Sequence, residues 1–172
     1  MADRDEEFII RPGTGEDVEL ALTFRRLLFK EMGVADSLLL DDVGEVLADL
    51  YKKEYQADRI RHFIAYGPEN KPAAIAGALL KEDFPYYLFK PGYYGWIIDV
   101  YTVPEYRGKG LSARLMERTI QWLKGKGVQE AKLIASGKDA RRLYERIGFK
   151  PTWEMSYNLS ETKTYNEILD ER

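Results

Sequence analysis

Apolar residues occur at helical spacing in two stretches of the N-terminal half of the chain. From Val18 to Met32 they recur every three or four residues, which predicts a first helix that ends at Gly33. Thr14, with Asp17 three positions later, fits a capping box at the start of this helix. The same spacing predicts a second helix from about Asp42 to Asp58.

The C-terminal half predicts two more helices. Residues 111–123 place apolar and charged side chains on opposite sides of a helix, which the segment Gly125-Lys126-Gly127 ends. A shorter helix is predicted over about Lys138 to Ile147, with Gly148 as its cap.

Six short apolar blocks, typical of strands, flank and separate these helices. They are Phe8–Arg11, His62–Tyr66, Ala73–Leu80, Gly95–Val103, Ala131–Ala135 and Phe149–Asn158. The third and fourth blocks are expected to pair as a hairpin. The resulting order, βααβββαβαβ, predicts an α/β fold with a mixed sheet flanked by helices.

Size and composition predict one globular domain. The chain has 172 residues, of which 45% are hydrophobic and 32% charged, so we expect a single domain over 1–172, with its core at about 8–158 and a polar tail at about 159–172. No stretch approaches the roughly 20 apolar residues of a membrane span, and the acidic first seven residues do not fit a signal peptide. We therefore expect a cytoplasmic protein without membrane contact. The net charge of −3 argues against nucleic-acid binding.

Two residue counts exclude whole classes of chemistry. The chain has no cysteine, which excludes thiolate nucleophiles and thiolate metal ligands. His62 is the only histidine, so no paired imidazole site is expected and we predict no metal. His62 has no partner near any motif and is interpreted as a strand residue without a catalytic role.

A loop rich in glycine and basic residues, Pro104–Ser112, connects a predicted strand to the helix that follows. The unpaired backbone N–H groups at a helix start, together with mobile cations, form a site suited to a pyrophosphate. The loop has neither the P-loop pattern nor the dinucleotide-binding pattern. A purely structural connection is the alternative interpretation.

About thirty residues downstream lies a second motif, ARRLYERIGF, over 140–149. Together with RGKG after VYTVPEY, it resembles the GNAT superfamily of acyl-CoA-dependent N-acetyltransferases. The superfamily pattern [RQ]xxGx[GA] falls on Arg107, Gly110 and Ser112, and serine is a departure from it. The resemblance covers about Gly95 to Tyr157. It implies a GNAT-like single domain with a twisted, mostly antiparallel sheet.

The resemblance also implies a binding site for acetyl-CoA as co-substrate. Loop groups would hold the pyrophosphate, namely those of Arg107, Gly108, Lys109, Gly110, Leu111 and Ser112. Backbone groups of Tyr101, Thr102 and Val103 would bind the pantetheine arm. Ser136 stands near the position where many relatives carry Asn and is a candidate either for a CoA contact or for capping the following helix.

Acyl transfer to an amine needs a neutral nucleophile and a proton for the leaving thiolate. Asp99, on the strand before the loop, is the candidate base, acting directly or through water, and a structural hydrogen-bond acceptor is the alternative. The resemblance places the hydroxyl of Tyr144 near the CoA sulfur, which makes it the candidate general acid, and a packed tyrosine is the alternative.

These observations predict an N-acetyltransferase that moves an acetyl group from acetyl-CoA to a primary amine of a small molecule or peptide, in a ternary complex. The alternative is a silent CoA-binding module of the same fold. Aromatic residues between Phe84 and Trp96 would either hold an ammonium or pack in the core or a dimer interface. A homodimer is compatible with these segments. Arg25 and Arg26, on the first helix, are expected to be solvated, although the resemblance implies that this region helps form the acceptor pocket, and the acceptor is not assigned.

Overall fold

The computed structural model describes residues 8–34, 43–85, 90–163 and 167. This part of the chain forms five strands and four helices. In chain order they are β1 (Ile9–Pro12), α1 (Val18–Glu31), α2 (Val43–Gln56), β2 (Ile60–Tyr66), β3 (Pro72–Glu82), β4 (Tyr93–Thr102), α3 (Leu111–Gly125), β5 (Ala131–Lys132) and α4 (Lys138–Arg146). None of the described helices is long and apolar enough to cross a membrane.

The strands form one sheet in the order β1-β2-β3-β4-β5. The first four are antiparallel, with the predicted pairing of β3 and β4 confirmed, and β5 runs parallel to β4. The sheet is therefore mixed, as the pattern of elements predicts.

Side chains of β3 alternate between two cores on opposite faces of the sheet. Ala74, Ala76 and Ala78 pack in the core that contains α3, while Ile75 packs in the core that contains α1 and α2. Alanine leaves room for α3 to approach the sheet closely. This two-sided burial explains why β3 appears in the sequence as a continuous apolar run.

The start of α1 has the predicted capping box. The Thr14 side chain accepts a hydrogen bond from the N–H of Glu16, and the Asp17 carboxylate accepts one from the N–H of Thr14 at 2.8 Å. A short 3₁₀ turn, Gly15–Asp17, precedes the first residue of α1. The box fixes the direction in which α1 leaves β1.

Two predictions about the C-terminal part are wrong. The predicted final strand, Phe149–Asn158, pairs with no strand of the described chain, and β5 ends at Lys132 instead of Ala135. The alternating side chains of the last segment are exposed, with Trp153 at 100% and Met155 at 97%. Lys132 at the end of β5 pairs with Glu154, but the segment forms no backbone ladder with this edge of the sheet, and alternation alone does not make a strand. The predicted helix start at Asp42, the acidic first seven residues and most of the tail lie outside the described residues.

Substitution of Gly77 tests the packing between β2 and β3. A Cβ atom at Gly77 would lie 2.4 Å from Cδ2 of His62, so Gly77→Ala forces this buried ring to move. Overpacking of this kind costs about 1–3 kcal/mol of unfolding free energy, measurable by urea unfolding. Gly125→Ala is the control, because its Cβ atom meets nothing within 4 Å. Equal stability of the two variants would contradict the described packing.

Candidate functional site

The loop between β4 and α3 presents backbone donors to solvent. Gly108 and Gly110 both have φ of +75°, a conformation that glycine adopts without strain. Gly110 is the residue before α3, and no side chain of the described chain caps this helix start. The first N–H groups of α3 therefore point out of the helix at the positive end of its dipole, and an anion there is favourable.

A groove of about 670 Å³ runs from this loop along the end of β4 to α4. Eight of the ten residues predicted to bind the cofactor line it: Tyr101, Thr102, Arg107, Gly108, Gly110, Leu111, Ser112 and Ser136. The other two predicted residues, Val103 and Lys109, do not line the groove. The N–H of Val103 donates to the carbonyl of Ala73 at 2.9 Å, and the ammonium of Lys109 lies 5.1 Å from the ring of Phe8.

Arg107 ties the loop to α1 on the far wall of the groove. Its Nη2 donates to Oε2 of Glu31 at 2.6 Å, and its Nε donates to the carbonyl of Thr102 at 3.0 Å. The hydrogen bond with Glu31 raises the pKa of Arg107, despite the opposing effect of burial. The cation therefore has an acidic partner within the groove.

Ser112 and Ser136 both line the groove, but they lie on different elements. Ser112, the departure from the superfamily pattern, lies in the first turn of α3, and its hydroxyl is 3.0 Å from that of Thr102. Ser136 does not cap α4, because the helix begins after Gly137 without a side-chain cap. The predicted capping role of Ser136 is wrong, and the residue lies in the wall of the groove instead.

A bulge in β4 opens the sheet beside the groove. Ile98 pairs with Gly77 and Tyr101 pairs with Ile75, so two residues of β4, Asp99 and Val100, face one residue of β3. Asp99 has φ of +55°, which is uncommon for a residue with a side chain. The bulge turns Asp99 inward and leaves its neighbour Val100 on the groove.

The sheet also opens on the other side of β4. β4 and β5 pair only at Gly95–Ala131 and Trp96–Lys132. After Trp96 the two strands are no longer hydrogen-bonded to each other. A second cavity, of about 280 Å³, lies there between α1, β4 and residues 133–136. Four residues line both this cavity and the groove: Leu28, Val100, Ser136 and Tyr144. The two spaces therefore meet at Tyr144.

Tyr144 lies in α4 and is 7% exposed. The helix ends soon after it, because Gly148 has a φ of +108°, which a helix cannot accommodate. Its ring packs edge-to-face against Phe149, with 5.9 Å between the ring centres. The sequence motif thus brings a tyrosine to the junction of two cavities.

The carboxylate of Asp99 is completely buried and holds three side chains. Nη1 of Arg25 donates to Oδ1 at 2.7 Å, while the Tyr51 hydroxyl, at 2.6 Å, and Nε2 of His62, at 2.9 Å, donate to Oδ2. Two expectations are corrected here. Arg25 is not simply solvated, and His62 does have a partner, since Asp99 reaches it across β3. Neither contact has a signal in sequence spacing, because the residues are 74 and 37 positions from Asp99.

This network lowers the basicity of Asp99. Burial alone would raise the pKa of the carboxyl, but the hydrogen bond from His62, the charge of Arg25 and the hydroxyl of Tyr51 outweigh it and hold the pKa below its ordinary value. Burial and the nearby Asp99 charge also raise the pKa of Tyr51. Asp99 is thus an ionised anchor, and a proton can reach it only through one of its partners.

One family has a sequence model that matches this chain. The family is described as Acetyltransferase (GNAT) family, and its model matches residues 32–149. No curated protein matches the chain significantly.

Solved structures share the fold of this chain. A GCN5-related N-acetyltransferase from Ralstonia eutropha JMP134 has a TM-score of 0.78 at 26% identity, over 88% of this chain and 98% of that one. A predicted acetyltransferase from Clostridium acetobutylicum, solved with acetyl-CoA, has a TM-score of 0.79 at 24% identity, over 88% and 96%. Glucosamine-6-phosphate N-acetyltransferase from Arabidopsis thaliana has a TM-score of 0.61 at 19% identity, over 89% and 99%. The predicted fold class is confirmed.

Removal of the Tyr51 hydroxyl tests the buried network. Tyr51→Phe leaves Oδ2 of Asp99 with one donor, and we expect a loss of about 1–3 kcal/mol of unfolding free energy at pH 7. The ionised carboxylate stabilises the wild type above the unfolded pKa of about 3.9, and this stabilisation is lost as pH falls towards the lower folded pKa. Loss of one donor raises the folded pKa of Asp99 in the variant, so the difference in stability between variant and wild type should narrow in acid, as the pH falls through the folded pKa of the variant.

Urea unfolding at pH 7 and at about pH 3.5 measures both effects. Tyr157→Phe is the matched control, because Tyr157 is 86% exposed. If the two variants lose the same stability, or if the Tyr51→Phe difference grows in acid, the Asp99 network does not act as described.

Proposed function

The chain belongs to the acetyltransferase (GNAT) family, and from this membership we propose that it transfers an acetyl group from acetyl-CoA to a primary amine of a small molecule, within a ternary complex. One observation carries the proposal: a groove that begins at uncapped helix amides and a separate cavity meet at Tyr144. Such a junction allows two ligands to be bound together with their reacting ends adjacent.

The groove fits acetyl-CoA by the chemistry of its walls. The amides of the Gly108–Ser112 segment, with Arg107 beside them, favour a diphosphate. The end of β4 at Tyr101 and Thr102 offers an extended backbone along the groove. The co-substrate supplies an activated acetyl group as a thioester, and we propose that the thioester lies near Val100 and Tyr144, where the groove ends.

We propose that Tyr144 is the general acid. Attack by the neutral amine forms the C–N bond and breaks the C–S bond, and the Tyr144 hydroxyl donates a proton to the departing sulfur. Tyr144 is 7% exposed, and it lines both the groove and the second cavity. Its place at the junction of both cavities supports this role over that of a packed tyrosine alone.

The amine must lose its own proton before it attacks. A mostly apolar cavity favours the neutral form of an amine, because burial disfavours the charged form. We propose that the proton goes to water and that Asp99 contributes by positioning Arg25. Direct proton acceptance by Asp99 stays an untested prediction, and its three donors make it unfavourable. The small cavity favours a small acceptor over a peptide.

Replacement of Tyr144 tests the reaction. We expect Tyr144→Phe to lower kcat by roughly 10²-fold, the lower end of the usual effect of a general acid, while the KM for acetyl-CoA changes little. The measurement is thiol release from acetyl-CoA with a panel of primary amines. Tyr157→Phe should retain full activity. An unchanged kcat in Tyr144→Phe would refute the general-acid role, and no thiol release with any amine would refute the enzyme.

Replacement of Glu31 tests where the co-substrate binds. Glu31 lines the groove and forms an ion pair with Arg107. The negative charge of Glu31 therefore repels a bound diphosphate and competes with it for Arg107. Glu31→Gln should therefore tighten CoA binding roughly three- to tenfold at low salt, by removal of a like charge. Isothermal titration calorimetry measures the Kd, with Glu19→Gln, on the exposed side of α1, as the control. Weaker or unchanged binding would contradict a diphosphate in contact with Arg107.

A further inference from the structure

The cavity between α1, β4 and residues 133–136 has an apolar lining with one accessible charge. Its walls include Leu28, Phe29, Met32, Trp96, Ile98 and Ile134. Two charged residues line it, Arg25 and Asp99. The Asp99 side chain has no exposed surface, whereas 26% of the Arg25 side chain is exposed. Among the described lining residues, the charge that a ligand can meet is therefore positive.

Arg25 is held rigidly in this wall. Asp99 binds its Nη1, and the Phe29 ring lies 4.7 Å from the centre of its guanidinium group. His62 and Tyr51 fix the Asp99 carboxylate in turn. Nε of Arg25 is buried and has no hydrogen-bond partner in the described chain, so a ligand can meet only the part of this side chain that is exposed, 26% of it. A guanidinium held in one orientation is suited to a carboxylate.

Two of the three aromatic rings that line the cavity already contact cations of the protein, and the third is Tyr144. Arg25 lies against Phe29, and the ammonium of Lys81 lies 4.2 Å from the centre of the Trp96 ring. A cationic ligand would therefore meet positive charge at Phe29 and at Trp96 instead of an open aromatic face. This arrangement disfavours recognition of a substrate ammonium by cation–π contact.

Charges in the neighbouring cavity have the same sign. Arg26 and Lys30 line a space that also borders Arg25 and Phe29. Three acidic residues of α1 and α2 line a different cleft, and they are Glu19, Glu45 and Asp49. This cleft shares no residue with the cavity between α1, β4 and residues 133–136. Acceptors with several positive charges, such as polyamines and aminoglycosides, are therefore poorly matched to the described residues of the site.

We propose that the acceptor is an apolar amino acid, whose carboxylate binds Arg25, whose side chain contacts Phe29 and Trp96, and whose amine faces Tyr144. This inference rests on the proposed function and specifies its substrate class. The neutral amine nitrogen forms the new C–N bond as the C–S bond of the thioester breaks, the sulfur takes a proton from Tyr144, and the proton that the nitrogen loses returns to Tyr144 through water. The product is an N-acetyl amino acid.

Matched acceptors test the proposal on the wild-type protein. We compare L-phenylalanine with L-phenylalaninamide and phenethylamine, which have the same apolar group and amine but no carboxylate. The expected result is a kcat/KM at least tenfold higher for L-phenylalanine. The amide has a less basic amine, which favours its reaction, so this preference would have to overcome the difference in basicity. An equal or lower value for L-phenylalanine overturns the proposal.

Variants at Arg25 locate the origin of the preference. Arg25→Gln should reduce the ratio of kcat/KM between L-phenylalanine and phenethylamine to near 1, and Arg25→Lys should retain part of it. Arg118→Gln, on the exposed side of α3, should leave the ratio unchanged. If Arg25→Gln does not fold, Arg25→Lys and the wild-type comparison decide. A full preference retained in a folded Arg25→Gln protein overturns the role of Arg25.

The two levels of the proposal fail in different ways. If the protein acetylates amines but does not favour the carboxylate, the substrate class is wrong and the acetyltransferase stands. If it binds CoA by calorimetry but releases thiol with no amine, the proposed function fails and the substrate class fails with it.

Discussion

The site depends on the burial of one carboxylate in the interior of the sheet. Asp99 lies at a bulge with a left-handed backbone, where an unpaired charge would cost several kcal/mol, and three side chains from α1, α2 and β2 compensate it. The same bulge separates β4 from β3 beside the groove, and the early end of β5 leaves β4 open on its other side. The irregularity of β4 and the network that stabilises it thus create the space in which the groove and the second cavity meet.

Much of the fold could be predicted from the sequence because local patterns determine it. The helical spacing in α1 and α3, the capping box at Thr14 and the apolar run of β3 each have a local physical cause. The predicted strand at Phe149–Asn158 failed because strand formation depends on a partner edge, and alternation of side chains does not supply one. The exposed helix start at the glycine loop could be predicted for the same local reason, since the loop and the helix adjoin in sequence.

The network at Asp99 could not be predicted in the same way. Asp99 and its three partners come from four separate elements. The contact of Arg25 depends on how α1 packs against β4, and that of His62 on a bond that crosses β3 from β2 to β4. One clue was present: a single histidine in an apolar strand is a polar group that must find a partner when buried. That clue indicates that a partner exists but does not identify it. Long-range packing therefore decides the chemistry of the cavity, although local sequence decides the elements around it.

In the proposed reaction, the cavity connects specificity with activation. Burial in an apolar cavity lowers the pKa of a bound amine, and each unit of that shift raises the neutral fraction about tenfold. The charge of Arg25 is already paired with Asp99, so a carboxylate on Arg25 serves to align the amine with the thioester and not to activate it. The proposed acceptor therefore has a carboxylate that contacts Arg25 and an amine in the apolar part of the cavity near Tyr144. In that arrangement the fixed guanidinium would select the acceptor, while burial of the amine would favour its reactive form.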